Sequence, residues 1–207
     1  MNEKESITQI VWDEFINLAT QRLEKVGDTN LVNHLSEETF RLDYALSIYK
    51  TGINYAKVYC EYPYNKAPSQ KLDIFIESGN GYCIEIKFFR PIPSKKNPPF
   101  TQHYGALLSD ILKLTLLCHK RQDKFLLVIT DNKFNNYFVK RGLIREKTKE
   151  EYVYKIDLDT LPLTAIKEIR KRLKNIEIPI QSSPKIMVIR YCTIKNYFFY
   201  LLGISTH

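Results

Sequence analysis

The sequence has few of the residues that indicate a disulfide-bonded, zinc-binding or membrane-spanning protein. Its four cysteines form no CxxC pair, and its four histidines have no HxxxH or HExxH spacing. This pattern argues against a disulfide framework or a zinc site and predicts small, reduced, buried thiols. No apolar run approaches the roughly 20 residues that span a bilayer, and residues 1–10 lack the layout of a signal peptide. We therefore expect a cytoplasmic protein with no membrane partner.

Acidic residues are the minority among the charged ones. Lys and Arg number 31 against 23 Asp and Glu, which gives a formal net charge of +8. Such an excess favours a polyanionic partner, either nucleic acid or a membrane surface. The chain of 207 residues is 44% hydrophobic and no Gly/Ser/Pro linker divides it, so one domain with a sizeable core is expected across residues 1–207.

Hydrophobic periodicity predicts a mixed α/β core with a central β-sheet flanked by α-helices. The almost wholly apolar segment 124–130 is typical of a buried central strand, and the proline-rich segment 90–100 is predicted to be a loop. The last two apolar segments are predicted as two strands, or as a strand and a short helix. The predicted helices are 6–26, 36–50, 101–120 and 163–175, and the predicted strands are 55–64, 71–77, 82–89, 124–130, 150–158, 185–192 and 196–204.

Charged side chains lie inside an apolar hairpin, residues 71–89 (KLDIFIESGNGYCIEIKFF). Side chains alternate across a strand, so burial of both aliphatic faces requires an even register between the strands. A short loop at residues 78–80 then pairs Ile74 with Ile84. In that register Asp73 lies opposite Glu85, with Cβ atoms roughly 5 Å apart.

Lys87 joins these two carboxylates in either of the allowed registers. It lies diagonal to Asp73 in the first, and directly opposite Asp73 in the neighbouring one. Two close carboxylates repel each other unless a cation lies between them, and carboxylate oxygens are the ligands that Mg²⁺ prefers. The backbone carbonyl of Ile86 is a further candidate ligand. The ammonium of Lys87 could polarise or deprotonate a water, or neutralise charge on a phosphate, whereas the alternative is a solvated cross-strand ion-pair network.

Asp73, followed on the next strand by Glu85-x-Lys87, resembles the PD-(D/E)XK nuclease superfamily, and most closely its type II restriction endonucleases. The resemblance covers about residues 36–130, where helix, three strands, helix and strand follow in the family's order. The residue before Asp73 is Leu72 and not proline, which is a common variation. A restriction-endonuclease-like α/β core is the fold that the resemblance implies.

The resemblance also implies the roles of the site residues. Asp73 and Glu85 match the metal-binding acids, and Lys87 matches the catalytic lysine. Glu38, or its neighbour Glu37, corresponds to the helix glutamate that supports the metal site. We favour Glu38, because the side chains that follow it one and two turns along the helix are more apolar than those that follow Glu37. Glu38 is therefore expected to lie nearer the sheet.

The activity implied is Mg²⁺-dependent cleavage of double-stranded DNA, with Mn²⁺ as a substitute, by a homodimer that reads a palindrome. Residues 131–207 would supply DNA contacts or dimer elements, with 196–204 as a candidate interface or as part of the core. The alternative for each basic residue is a solvated surface. The candidate DNA-binding residues are Arg90, Lys95, Lys96, Gln102, Lys167, Arg170, Lys171 and Lys174.

Two rival functions are also compatible with the sequence. A nuclease of the same superfamily could act on DNA structure in repair, recombination or transposition, and would then share the site but ignore sequence. A basic DNA-binding protein without catalysis could use the fold alone. Their responses to Mg²⁺ and EDTA would separate these possibilities.

Overall fold

The structure is a computed structural model that describes residues 6–27, 35–64, 66–89, 99–145 and 150–205. Its centre is a seven-stranded, mostly antiparallel sheet, and two further short strands form a separate ladder. The predicted α/β class, a central sheet flanked by helices, is confirmed. The strands are β1 (Val58–Tyr64), β2 (Ala67–Ile76), β3 (Tyr82–Phe89), β4 (Asp123–Asp131), β5 (Tyr152–Val153), β6 (Ile156–Asp157), β7 (Gln181–Ser182), β8 (Lys185–Ile194) and β9 (Tyr197–Ser205).

The helices cover both faces of the large sheet, whose strand order is β1-β2-β3-β4-β9-β8-β5. None of the helices in the described ranges is long and apolar enough to cross a membrane. The first helix follows a π-helical segment, Ser6–Val11. The α-helices are α1 (Trp12–Gly27), α2 (Glu37–Lys50), α3 (Phe100–Leu116), α4 (Asn132–Lys140) and α5 (Leu163–Arg172).

Two apolar layers hold the helices on the sheet. On one face, α1 and α2 pack against the even-numbered side chains of β2 and β3, such as Ile74 and Ile84. On the other face, α3, α4 and α5 pack against Phe75, Cys83 and their neighbours. The sheet therefore separates two hydrophobic cores, and a polar side chain on either face has to be accommodated inside one of them or between them.

Helix α2 begins where the sequence predicts. Ser36 is its N-cap. The Ser36 hydroxyl accepts a hydrogen bond from the backbone N–H of Thr39, and the Thr39 hydroxyl accepts one from the backbone N–H of Ser36. Such a capping box satisfies amide groups that the first helical turn leaves without partners. Helix α3 begins at Phe100 rather than at the predicted Thr101, and its N-cap Pro99 forms no side-chain capping hydrogen bond.

The predicted register of the β2–β3 hairpin is confirmed. Ile74 pairs with Ile84, and Ile76 pairs with Tyr82. The turn between them uses Gly81 at a φ of +86°, a conformation that glycine adopts without the steric cost of a Cβ. The regular antiparallel pairing ends at Ile74 and Ile84, which is one residue before Asp73 and Glu85.

Strands β3 and β4 are parallel neighbours joined through α3. Strand β4 lies in the middle of the sheet, as its apolar sequence predicts, and Leu126 to Ile129 are fully buried. Helix α3 crosses closely over α5, where a Cβ at Gly105 would lie only 2.6 Å from the carbonyl oxygen of Ala165. Glycine at this position therefore permits the approach of the two helices.

Several elements differ from the prediction. The first strand begins at Val58 rather than at residue 55, because Tyr55–Lys57 form a 3₁₀ turn, and β2 already begins at Ala67. Pro63 is tolerated in β1 because β1 is an edge strand, where no second ladder requires the missing amide. Helix α4 was not predicted. The apolar segment 196–204 is a central strand between β4 and β8, so its side chains belong to the core and do not form a dimer interface.

The buried ion pair between α1 and α2 yields a test of the fold. Arg22 donates from Nε and Nη2 to Asp43 at 2.6 and 2.5 Å, and Asp43 is 1% exposed. Arg22→Met leaves a buried carboxylate without its partner. We expect a loss of about 2–3 kcal/mol in the free energy of unfolding, the low end for a buried pair because Arg22 is partly exposed. Urea denaturation measures it.

The matched control is the surface pair between the same helices. Lys50 Nζ lies 2.5 Å from Glu14 Oε1, and the Lys50 side chain is half exposed. Lys50→Met should cost less than about 1 kcal/mol. Equal losses for the two variants would contradict the role assigned to the Arg22–Asp43 pair.

Candidate active site

Asp73 lies at the point where β2 and β3 stop pairing. Its Oδ2 accepts a hydrogen bond from the backbone N–H of Ile86 at 2.7 Å, and its Oδ1 lies 3.3 Å from Arg41 Nη1 of α2. The carboxylate therefore occupies a position where a strand carbonyl would otherwise accept from β3. Asp73 is held between the strands and is 15% exposed.

Glu85 lies on β3 and points into the buried layer under α3. It is 2% exposed, its Oε1 accepts from the Tyr64 hydroxyl at 2.6 Å, and Lys113 Nζ of α3 lies 3.6 Å from the same oxygen. Burial, and after it the negative charge of Asp110, raise the pKa of the Glu85 carboxyl well above its usual range, and Asp73 adds to the effect. Glu85 therefore retains a proton to higher pH than a surface glutamate does.

Lys87 is fixed by two carboxylates from opposite sides of the sheet. Its Nζ lies 3.0 Å from both Glu37 carboxylate oxygens and 3.3 Å from Asp110 Oδ2. Burial alone would lower the pKa of this ammonium, but the charges of Asp110 and Glu37 outweigh burial and raise it. Lys87 is consequently a cation throughout the neutral range.

Asp110 and Lys113 of α3 belong to this cluster although the sequence analysis did not select them. Asp110 is fully buried, and its Oδ1 accepts from Lys113 Nζ at 2.9 Å. Burial would raise the pKa of Asp110, but Lys87 and Lys113 lower it. One signal could have found the two residues, since an acid and a base three positions apart interrupt an otherwise leucine-rich helix.

The helix glutamate at the site is Glu37 and not the favoured Glu38. Glu38 is exposed on α2, whereas Glu37 reaches Lys87 and also accepts from the backbone N–H of Phe88 at 3.4 Å. The apolar line used to choose Glu38 faces solvent, since Leu42 is 56% exposed. The prediction of Glu38 from hydrophobicity was wrong because the buried side of α2 itself contains polar side chains, including Asp43.

The predicted DNA-contact residues have three different outcomes. Arg90, Lys95 and Lys96 lie outside the described residues. The four basic residues of the 163–175 segment, Lys167, Arg170, Lys171 and Lys174, are exposed as predicted. Gln102 is exposed on α3 and its Nε2 donates to Glu168 Oε2 of α5 at 3.3 Å, so it lies between α3 and α5.

Carboxylates are the metal-ligand type that this cluster offers. No group of three or more His, Cys, Asp or Glu suited to a metal occurs among the residues described. Asp73 contacts Arg41 of α2, whereas Glu85 contacts Lys113 of α3, so the two carboxylates are engaged from opposite helical layers. Mg²⁺ is commonly held by one or two carboxylates with waters completing its shell. The two carboxylates are donors of the type that Mg²⁺ takes, but they would hold it only if Glu85 lost its proton and if Arg41 and Lys113 shared the carboxylates with the metal.

The raised pKa of Glu85 predicts a pH-dependent stability difference. Between the pKa of an unfolded glutamate and that of Glu85, the folded protein binds a proton that the unfolded chain does not, so the free energy of unfolding falls as pH rises. Glu85→Gln removes this pH-dependent contribution to the free energy of unfolding and keeps an acceptor for the Tyr64 hydroxyl. Relative to wild type, we expect the variant to gain stability as pH rises from acid to neutral, measured by urea denaturation in EDTA.

Glu61→Gln is the control for this experiment. The neighbouring Lys71 lowers the pKa of the exposed Glu61 carboxyl, so this carboxyl adds to the free energy of unfolding as pH rises. Glu61→Gln should therefore lose stability relative to wild type over the same pH range. Parallel stability curves for wild type and Glu85→Gln would show that burial does not raise the pKa of Glu85.

Comparison with family models, with curated proteins and with solved structures gives no match to this chain. Membership of the PD-(D/E)XK superfamily therefore stays a prediction from the motif and its place in the sheet, and the chemistry of the site is the basis on which a function can be assigned.

Proposed function

We propose that this protein is a Mg²⁺-dependent DNA endonuclease that hydrolyses phosphodiester bonds. The observation that carries the proposal is the charged cluster where β2 and β3 separate. Lys87 is held there by Glu37 and Asp110, and the charges of Asp73 and Asp110 both act on Glu85. Charged groups are rarely buried in this number without a functional reason. A fold needing only stability could fill the same space with apolar side chains.

Asp73 and Glu85 would hold the metal, with the Ile86 carbonyl as a third protein donor. Mg²⁺, or Mn²⁺ in its place, would supply Lewis-acid activation of a water and neutralisation of phosphate charge. The Ile86 N–H fixes the orientation of Asp73, and the Tyr64 hydroxyl fixes that of Glu85. Both carboxylates are thereby oriented before a substrate arrives.

Lys87 acts in this proposal as a cation and not as a general base. Its raised pKa keeps it protonated at neutral pH, so it cannot accept a proton from water there. A protonated ammonium instead stabilises the negative charge that develops on a phosphate during cleavage. Glu37 and Asp110 position it by holding Nζ from two directions.

Double-stranded DNA is the proposed partner because of the charge distribution. The chain carries +8 overall, and α5, which packs against the helix that bears Asp110 and Lys113, has an exposed basic face. Such a face neutralises phosphates without reading sequence. A sequence-specific type II restriction enzyme acting as a homodimer is the form of the activity that we propose, with a structure-specific nuclease and a non-catalytic DNA-binding protein as the alternatives.

Plasmid cleavage tests the activity. With supercoiled plasmid and Mg²⁺ we expect discrete fragments, and none in EDTA. Asp73→Asn keeps an acceptor for the Ile86 N–H but loses the anionic ligand, so cleavage should fall by more than about 100-fold. Mg²⁺ should also raise the melting temperature of wild type and leave that of Asp73→Asn unchanged.

The exposed Asp159, on the turn after β6, provides the matched control, and Asp159→Asn should cleave like wild type. Smeared or junction-selective products would favour the structure-specific alternative. If folded wild-type protein binds DNA and does not cleave it with either Mg²⁺ or Mn²⁺, the nuclease proposal fails and the non-catalytic alternative remains.

The role of Lys87 has a separate test. Lys87→Met should abolish cleavage while DNA binding in EDTA stays within about twofold of wild type, because a charge-stabilising group acts on the transition state. Lys87→Arg, which retains the charge but cannot act as a base, should keep measurable activity. A wild-type rate that rises through pH 9 to 10 with the ionisation of an amine, together with inactive Lys87→Arg, would instead identify Lys87 as the base.

A further inference from the structure

Three aromatic rings form a stacked surface on the first two strands. Tyr59 of β1 pairs across the ladder with Phe75 of β2, and Tyr62 lies against the same Phe75 ring. The centroids of Tyr62 and Phe75 are 4.5 Å apart with planes 26° from parallel, and those of Tyr59 and Phe75 are 6.3 Å apart at 27°. We call these three residues the aromatic platform.

The platform is open to solvent on its outer side. Tyr59 is 38% exposed and Tyr62 is half-buried, while Phe75 beneath them is 9% exposed. The Tyr59 hydroxyl donates to Glu77 Oε2 at 2.9 Å, which fixes the orientation of the ring. Rigid rings with accessible faces on an edge strand can accept a further flat ring without reorganising.

The platform adjoins the candidate active site. Phe75 follows Asp73 by two positions in β2, so their side chains leave the strand in the same direction, roughly 7 Å apart along it, and the Asp73 carboxylate then turns in between the strands. Successive nucleotides in an extended strand are separated by a similar distance. A nucleotide next to one whose phosphate lies at Asp73 would therefore lie over the platform.

A narrow recess lies beside the rings. Tyr62 and Phe75 line this cavity of about 30 Å³ together with His119 and Gln122. Lys120 and Arg121, between these two residues, are exposed, and they line a separate cavity with Met187 of β8 and Gly203 of β9. The recess beside the rings is too small for a nucleobase, so a base would have to lie on the rings themselves.

Two acidic residues lie near the platform. Glu77 is bound to the Tyr59 hydroxyl, and Glu61 pairs with Lys71 at 3.0 Å and with Arg41 at 3.5 Å. Both acids lie on the β1–β2 side, where they would repel a phosphate. The basic side of the surface is therefore the segment of residues 119–122.

We propose that the aromatic platform stacks an unpaired nucleobase of a DNA strand whose neighbouring phosphate lies at Asp73 and Glu85. Stacking on aromatic rings beside a basic track is how proteins bind single strands without sequence preference, whereas bases inside a duplex have their faces covered by one another. The proposal rests on the proposed nuclease function for the position of the phosphate. Of the two nuclease forms considered above, it favours the one that acts on DNA structure, and it specifies the substrate of that form as DNA with a single-stranded segment next to the bond that is cut.

Binding in EDTA tests the platform without cleavage. The probes are fluorescein-labelled oligothymidylate of about 12 nucleotides and a duplex of the same length, measured by fluorescence anisotropy. Replacing both tyrosines, Tyr59→Ala with Tyr62→Ala, should weaken binding of the oligothymidylate by about tenfold or more and that of the duplex by less than about twofold. Tyr62→Trp, which keeps a stacking ring, should bind the oligothymidylate at least as well as wild type.

Tyr191→Ala is the matched control. Tyr191 is 37% exposed on β8 and is stacked on Phe198 at 27°, but it lies three strands away from β3 in the sheet. It should bind both probes like wild type, and urea denaturation of every variant excludes a loss of folding. Equal weakening for both probes, no weakening, or a wild-type protein that does not bind oligothymidylate would overturn the proposal.

The outcome is separable from that of the nuclease proposal. Tyrosine-dependent single-strand binding by a protein that never cleaves DNA would refute the nuclease and leave the platform as a binding site. Cleavage by wild type, with unchanged single-strand binding in the double variant, would refute only the platform.

Discussion

The site depends on one backbone contact, the hydrogen bond that Asp73 accepts from the N–H of Ile86. It lies where the β2–β3 ladder ends, so the carboxylate takes the place of a strand carbonyl and the two strands separate there. Side chains from both helical layers enter this opening. Glu37 and Arg41 belong to α2, and Asp110 and Lys113 belong to α3. Without the separation, the sheet would keep these helical residues apart.

Charge balance explains why such a cluster can be buried at all. Four acids (Glu37, Asp73, Glu85 and Asp110) meet three bases (Arg41, Lys87 and Lys113) within hydrogen-bonding or ion-pair distance of at least one opposite charge. Burial raises the pKa of Glu85 and Glu37, so the cluster reduces its excess negative charge by holding a proton. In the proposed function a divalent cation would serve the same purpose. The protein thereby keeps groups that cost stability and are useful for phosphate chemistry.

The proposed substrate follows from combining this cluster with the surface around it. In the proposed function, the charged cluster would supply the chemistry on a phosphate and the basic face of α5 would supply attraction without sequence selection. Phe75 of the aromatic platform is two residues from Asp73 in β2. Rings stacked on an edge strand also stabilise that strand, so packing alone could account for their presence. What packing does not account for is the position of Phe75, two residues from the carboxylate, and the exposure of Tyr59 beside it.

The sequence by itself determined the hairpin register, the capped start of α2, the central position of β4 and the nearness of Asp73, Glu85 and Lys87. Each of these is a local matter, since alternation fixes which side chains share a face of a strand and a Ser–Thr capping box fixes where a helix begins. Only the tertiary structure decided that Glu37 rather than Glu38 reaches Lys87, because the buried stripe of α2 includes polar residues while Leu42 faces solvent. It also decided that segment 196–204 is an internal strand and that Asp110 and Lys113 complete the cluster, because these contacts join residues far apart in the chain and depend on which layer covers which face of the sheet.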